Sequence, residues 1–384
     1  MTTDSQRQDS DLAPDAAAPA DLSPAERPAR PPHDFPWMRV PTQRSMRPVV
    51  GPQGLRLEDV DVDSYGDVPD HWPYRNDTPR GAFPSQNIGL AASYSIFDKV
   101  EVWSENVRVL YEDAIRDRWS SATDVPWETL KPYPEHLERA ICQICTEMSE
   151  QAYVTVQVFS GWLEKISYGF HEVKNFLATL IYDNARHVEA FRKRALANGG
   201  GLGIESPGIY HRGPAASMVF TELVITTCIV RASFNMITVD TLKRTAKSEA
   251  ERVLYSNIAR DLQRHIDYGV GHLTYFVQRQ PQLLGQLHAW LSRAEGLLVA
   301  DQRFDQPFNE AMILLLGKNT EEGRANYEDV RRQWVAYYLN RLADARIYDH
   351  MTRLVPELKH YLPEGAAMPN SVSMRPPVED PALT

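Results

Sequence analysis

The sequence predicts an all-α fold: a four-helix bundle core, extra C-terminal helices and an extended N-terminal arm. Three observations lead there. Apolar residues recur at helical spacing over long stretches, as in Leu137, Ile141, Ile144, Cys145, Met148 and Ala152. No segment alternates with a period of two for long, so no sheet is expected. Glycine and proline clusters cut the chain into segments of bundle-helix length.

The elements follow in order. Residues 1–35 are Pro-rich and of low complexity, and are expected to be disordered. Residues 36–87 carry recurrent aromatics and prolines (Trp37, Tyr65, Trp72, Tyr74), which reads as an extended arm. Such an arm can strap its own core or a neighbouring subunit, and the residues leave both readings open. The helical domain is expected over residues 88–350, beginning with a long helix from Ile88 to Trp119. Glu105, Glu112 and Asp113 would be its solvated face. After a Pro-rich loop carrying Trp127, a helix is expected from Glu135 to about Ile166, and another from Phe170 to Asn198. Gly199-Gly200-Gly201 is a stop signal for the latter.

Pro214 suits a first helical turn, and the helix it opens is predicted to run to about Arg244. It is apolar over much of its circumference (Phe220, Leu223, Val224, Ile225, Ile229, Val230), as befits the middle of a bundle. Glu249 to Gln278 is the next helix. Shorter ones are predicted near 283–300, 306–317 and 321–350, and residues 351–384 form a C-terminal tail, mobile from Pro363.

Composition narrows the partners. The chain has 384 residues, 43% hydrophobic and 24% charged, with a net charge of −10. That balance argues against nucleic acid as a partner. Three cysteines are too few for a disulfide scaffold and fit a cytoplasmic location. Cys142-x-x-Cys145 lies inside a helical pattern without a second pair, which favours ordinary buried thiols. No apolar run reaches the roughly 20 residues that span a bilayer, and no membrane association is expected.

Two matching pentapeptides carry the chemistry. Asp183-Asn184-Ala185-Arg186-His187 and Asp261-Leu262-Gln263-Arg264-His265 both read Asp-x-x-Arg-His. In each, the histidine follows the second position by three and shares its helical face. A glutamate at that second position would give Glu-x-x-His, the metal-binding unit of di-iron carboxylate bundles. Here Asn184 and Leu262 stand in its place.

The chain at this point resembles the ferritin-like di-iron oxygenases related to para-aminobenzoate N-oxygenase. More distantly, it is similar to the hydroxylase subunits of bacterial multicomponent monooxygenases. The resemblance covers residues 100 to 275. Its most specific stretches are Trp119 to Leu130, Glu138 to Gln143 and Val173 to Gly201. It implies a ferritin-like core and two copies of a pattern: a lone Glu, about thirty residues, then Asp-Glu-x-Arg-His. By position, the lone Glu falls on Ala152 in the first half and on Arg231 in the second; the paired Glu falls on Asn184 and Leu262. Thirty residues separate Ala152 from Asp183 and twenty-nine separate Arg231 from Asp261. All four carboxylates are therefore missing. His187 and His265 remain, as do the supporting residues Asp183, Arg186, Asp261 and Arg264.

Charge then bears on the metals. A guanidinium about 5 Å from a divalent ion costs roughly 6–7 kcal/mol at an effective dielectric near 20. No metal and no other cofactor is expected, with iron admitted only if the degenerate-site reading fails. Arg231 is expected to donate to Asp183 or Asp261 in the metals' place. His272, two turns beyond His265, is expected to take a surface or packing role rather than to ligate.

Three functional readings follow. The first is a metal-free structural or regulatory subunit of an oxygenase-type assembly, paired with itself or with a paralogous di-iron subunit. The second is an enzyme with a repurposed site, in which His187 or His265 moves protons and Arg231 holds a small organic acid or binds beside an aromatic ligand. The third keeps one metal on His187 and His265.

Overall fold

The computed structural model describes residues 35–36, 49–82, 91–198 and 200–362. The chain divides into two units, residues 1–45 and 46–384. Of the first, only Phe35 and Pro36 are described; everything below concerns the second. The predicted disorder of residues 1–35 and the mobile tail from Pro363 lie almost wholly outside the described residues.

The fold is all-α, and no strand occurs among the described residues. Residues 49–82 are nearly devoid of regular structure, with one short α-helix, α1 (Leu57–Val60), and a 3-10 turn at Asp63–Tyr65. This segment straps its own core. The Trp72 amide donates to the Phe97 carbonyl at 2.8 Å, and its ring covers Gly169 so closely that a Cβ there would collide with it. Arg80, buried, grips Glu172 through both terminal nitrogens.

Where one long first helix was expected, the chain forms only a 3-10 turn at Lys99–Glu101 and the short α2 (Val107–Arg116). Tertiary bonds draw the upstream residues out of helical register. The amides of Ser95 and Ile96 donate to the Lys165 carbonyl at 2.9 and 3.0 Å, and Asn106 donates to the Asp267 carbonyl at 3.1 Å. Glu112 is not merely solvated, since it accepts from the Leu57 amide at 2.6 Å.

Four long elements make the core. α3 (Glu135–Leu163) and α4 (His171–Ala197) are close to their predicted bounds and pack along their length. The third was expected to be continuous from Pro214, but it breaks. Arg212–Ala215 is a separate turn, α5, and the long element starts at Phe220 as α6 (Phe220–Val224). It passes through a π-helical segment, Ile225–Arg231, and continues as α7 (Ala232–Thr245). α8 (Glu249–Arg279) begins with a capping box in which Ser248 and Glu251 satisfy each other's backbone amides. The element Phe220–Thr245 is long and apolar enough to cross a membrane, but 89% of its most apolar window is buried inside the fold.

Three helices complete the domain: α9 (Leu284–Phe304), α10 (Gln306–Leu316) and α11 (Thr320–Asp344). A short α12 (Pro356–Lys359) closes the described chain. Two apolar clusters fill the interior. One holds Ala190 and Phe191 of α4 with Leu262 and Ile266 of α8; the other holds Phe176, Leu177 and Leu180 of α4 with Tyr268 of α8. On α4 the first pentapeptide lies between Leu180 of one cluster and Ala190 of the other, and its polar residues are buried between them.

Candidate functional site

Helical periodicity brings Asp183, Arg186 and His187 to one face of α4 and Asp261, Arg264 and His265 to one face of α8. The two faces meet and bond crosswise. His187 Nε2 lies 3.0 Å from Asp261 Oδ2, and His265 Nε2 lies 3.3 Å from Asp183 Oδ2. Arg186 donates to its own Asp183 at 2.6 Å and across to Asp261 at 2.7 Å. Arg264 repeats this in mirror fashion, donating to Asp183 at 3.0 Å and to Asp261. Trp119 adds an indole N–H to Asp261 at 2.8 Å, and the Arg186 guanidinium stacks 4.6 Å over its ring. Trp119 thus anchors the one loop stretch singled out in the sequence.

The layer balances its charge. Two aspartates face two arginines, and all four side chains are buried. Burial by itself would raise the Asp261 carboxyl; the His187 bond and the charges of His187, Arg264 and Arg186 outweigh it and hold the group below the usual carboxylate range. Burial lowers His265, against the opposing pull of Asp183. An ionised carboxylate can only accept, so each Nε2 carries its proton and donates. The Nδ1 atoms have no hydrogen-bond partner among the described residues. The ring centroids are 6.3 Å apart. Metal-ligating histidines usually carry this same outward bond to a carboxylate. Asp261 and Asp183 thus orient the two rings, and each Nδ1 is left without a partner among the described residues.

The other expected positions fall as follows. Ser149 of α3 donates to the Val188 carbonyl of α4 at 3.2 Å, which sets Ala152 about one turn on, level with Asn184 and Ala185. Ala152, Asn184 and Leu262 are all buried. The Asn184 amide folds back on its own helix, donating to the Leu180 carbonyl at 2.9 Å. Among the described residues, Asp61, His171 and Glu172 are the one group of three or more His, Cys, Asp or Glu whose ligand atoms all lie within 4.8 Å of one another. That group lies under the strap, where Arg80 and Arg108 already occupy its carboxylates. Two imidazoles without carboxylate ligands do not fit a two-metal centre, which needs anions to offset four positive charges.

Arg231 departs from expectation. Its guanidinium donates to the Tyr210 carbonyl at 2.8 Å and pairs with Asp301 at 3.4 Å, and neither Asp183 nor Asp261 is among its partners. A π-helical segment, Ile225–Arg231, ends on this residue. A π-turn holds more residues than an α-turn, so the 100° spacing used to place side chains on this helix does not carry through it. Arg186 and Arg264 neutralise the aspartates instead. The role of Arg231 as an anion holder loses its basis, because Asp301 already occupies that charge.

Around Arg231 lies a polar cluster that sequence reasoning missed. Tyr210 donates to Asp305, Arg212 reaches Asp301 at 3.1 Å, and Glu147 of α3 sits beside Tyr210 with Gln151 at 3.3 Å. Burial, and secondarily the charge of Asp305, push the Glu147 carboxyl up to about 9, so it is protonated at neutral pH. Nothing in the sequence distinguished Glu147 from the solvated glutamates around it. His272 packs as expected, held between the Trp103 carbonyl and Thr221, and burial brings it down to about 4. Cys142 and Cys145 are buried free thiols.

No protein family and no curated protein sequence matches the chain. Among solved structures, variants of an R2-like ligand-binding oxidase with a Mn/Fe cofactor align at 17% identity. One, reconstituted anaerobically, covers 63% of this chain and 94% of its own, with a TM-score of 0.44. Another, reconstituted aerobically, covers 63% and 97%, also with a TM-score of 0.44. At that level of identity and superposition none of the neighbours' chemistry transfers to this chain.

Proposed function

We propose that this protein is a degenerate relative of the di-iron oxygenases that holds no metal and serves as a non-catalytic structural or regulatory subunit of an oxygenase-type assembly. One observation carries the reading: the two Asp-x-x-Arg-His units are locked into a closed, charge-neutral lattice. Asp183 and Asp261 each accept from both arginines and from the opposite histidine, so neither is free to swing onto an ion. In an active centre such a shell orients ligands; here it ties α4 to α8.

Its partner would be a second copy or a paralogous subunit with an intact centre. Large apolar side chains exposed on the outward faces of α2, α3 and α4, among them Ile115, Tyr153 and Tyr182, support a partnered state. Purification from the native host, followed by native mass spectrometry, tests this. A stoichiometric homodimer or hetero-assembly is expected. A monomer at micromolar concentration, with no co-purifying subunit, would sink the proposal.

A further inference from the structure

A cavity of about 390 Å³ lies between α9, α10, α11 and the segment around α12, away from the Asp-x-x-Arg-His layer. Its size is within the range of small-ligand pockets. One end is polar. Arg331 enters from α11 and donates to Tyr361 Oη at 2.9 Å and to Asn309 Oδ1 at 3.0 Å. Both partners are neutral, and no carboxylate pairs with Arg331 among the described residues. Its Nε is buried without a partner, as is the side-chain nitrogen of Gln302 on α9. Gln302 is only 8% exposed. A half-buried cation and two unsatisfied buried donors, all on residues that line one cavity, are expensive to leave alone, and one anion with hydrogen-bond acceptors would satisfy them.

The other walls decide what kind of anion. Val299, Leu358 and the Tyr361 ring line the cavity beside the polar end. The one acidic group in the lining, Glu357, already pairs with Arg303 at 2.7 Å. We infer that this cavity binds a small organic carboxylic acid, its carboxylate on Arg331 and Gln302 and its apolar or aromatic body against Val299, Leu358 and Tyr361. Arginine suits this task because its planar fork matches a carboxylate. The site is independent of the metal-layer reading and stands or falls separately.

Calorimetric titration of the full chain with benzoate and with its neutral isostere benzamide tests the inference. Benzoate is expected to bind with a dissociation constant below about 10 mM, and benzamide at least roughly tenfold more weakly. Arg331→Met should lower benzoate affinity by roughly tenfold or more. Because Arg331 is half-buried and its loss also removes packing, Gln302→Glu provides a second variant. It sets a fixed carboxylate in the ligand's place, so it should abolish benzoate binding while raising the melting temperature. Equal affinity for benzoate and benzamide overturns the inference. So does unchanged benzoate affinity in either folded variant, or no benzoate binding to the wild-type protein.

Discussion

Replacing Asp261 with asparagine probes the crosswise layer most sharply. The substitution keeps the shape of the side chain and removes its charge. Asp261 now accepts from Trp119, Arg186, Arg264 and His187. Without its charge, two buried guanidiniums share Asp183 alone. Breaking a buried ion pair by removing one partner typically costs about 3–5 kcal/mol. The amide also presents an N–H group toward donors, which adds to the loss. Urea unfolding, read from the shift in midpoint at unchanged slope, measures it. Asp183→Asn should lose a similar amount by the pseudo-symmetry of the network. The two losses should not add, because both variants break one shared lattice. A chelator should leave the wild-type midpoint unmoved. If Asp261→Asn lost less than about 1 kcal/mol, the layer would not be the charge-locked structure described here. If a chelator reproduced the loss in wild type, an ion rather than arginine would be its counter-charge.

Other consequences are measurable. Glu147 has a folded-state value near 9 against 4.5 when free, so its contribution to stability is complete below pH 4.5 and is lost as pH rises to 9. Between pH 7 and 9 that loss amounts to about 2–3 kcal/mol, and Glu147→Gln should flatten the pH dependence in that window. His272 runs the other way: lowered from 6.5 to about 4, it contributes stability above pH 6.5 that is lost as pH falls to 4, about 3 kcal/mol in all. His272→Gln should remove that acid-side loss, and an unchanged acid limb would contradict the assigned environment. Gly169→Ala should dislodge Trp72 from its seat, destabilise by about 1–3 kcal/mol and red-shift tryptophan emission; an unaltered spectrum and midpoint would show that the strap does not pack there. Cys145, which burial pushes up to about 12, should resist thiol reagents in the folded protein until urea exposes it.

The sequence made the long elements legible because each carries a strong local signal. The apolar stripe of α3, the glycine stop after α4 and the Ser248–Glu251 capping box of α8 need no tertiary information. The repeated pentapeptide was legible for the same reason: a fixed spacing on a helix fixes a shared face. Three features were not legible, and each depends on distant residues. The amides of Ser95 and Ile96 find the Lys165 carbonyl, so local helical propensity is overridden before α2. The π-helical segment at Ile225–Arg231 leaves no mark in the apolar pattern, and Arg231 at its end meets Asp301, from a helix late in the chain, rather than the aspartates of the motif. Glu147 is set apart from other glutamates only by burial against Tyr210 and Asp305, which come from later in the chain.

Metal content addresses the central claim directly. The protein should be expressed in medium supplemented with iron and manganese, purified without chelator and quantified by inductively coupled plasma mass spectrometry. The crosswise Asp–Arg–His layer predicts far less than one transition-metal ion per chain, with identical values for wild type and a His187→Ala, His265→Ala double variant. About two ions per chain, lost in that double variant, would contradict it.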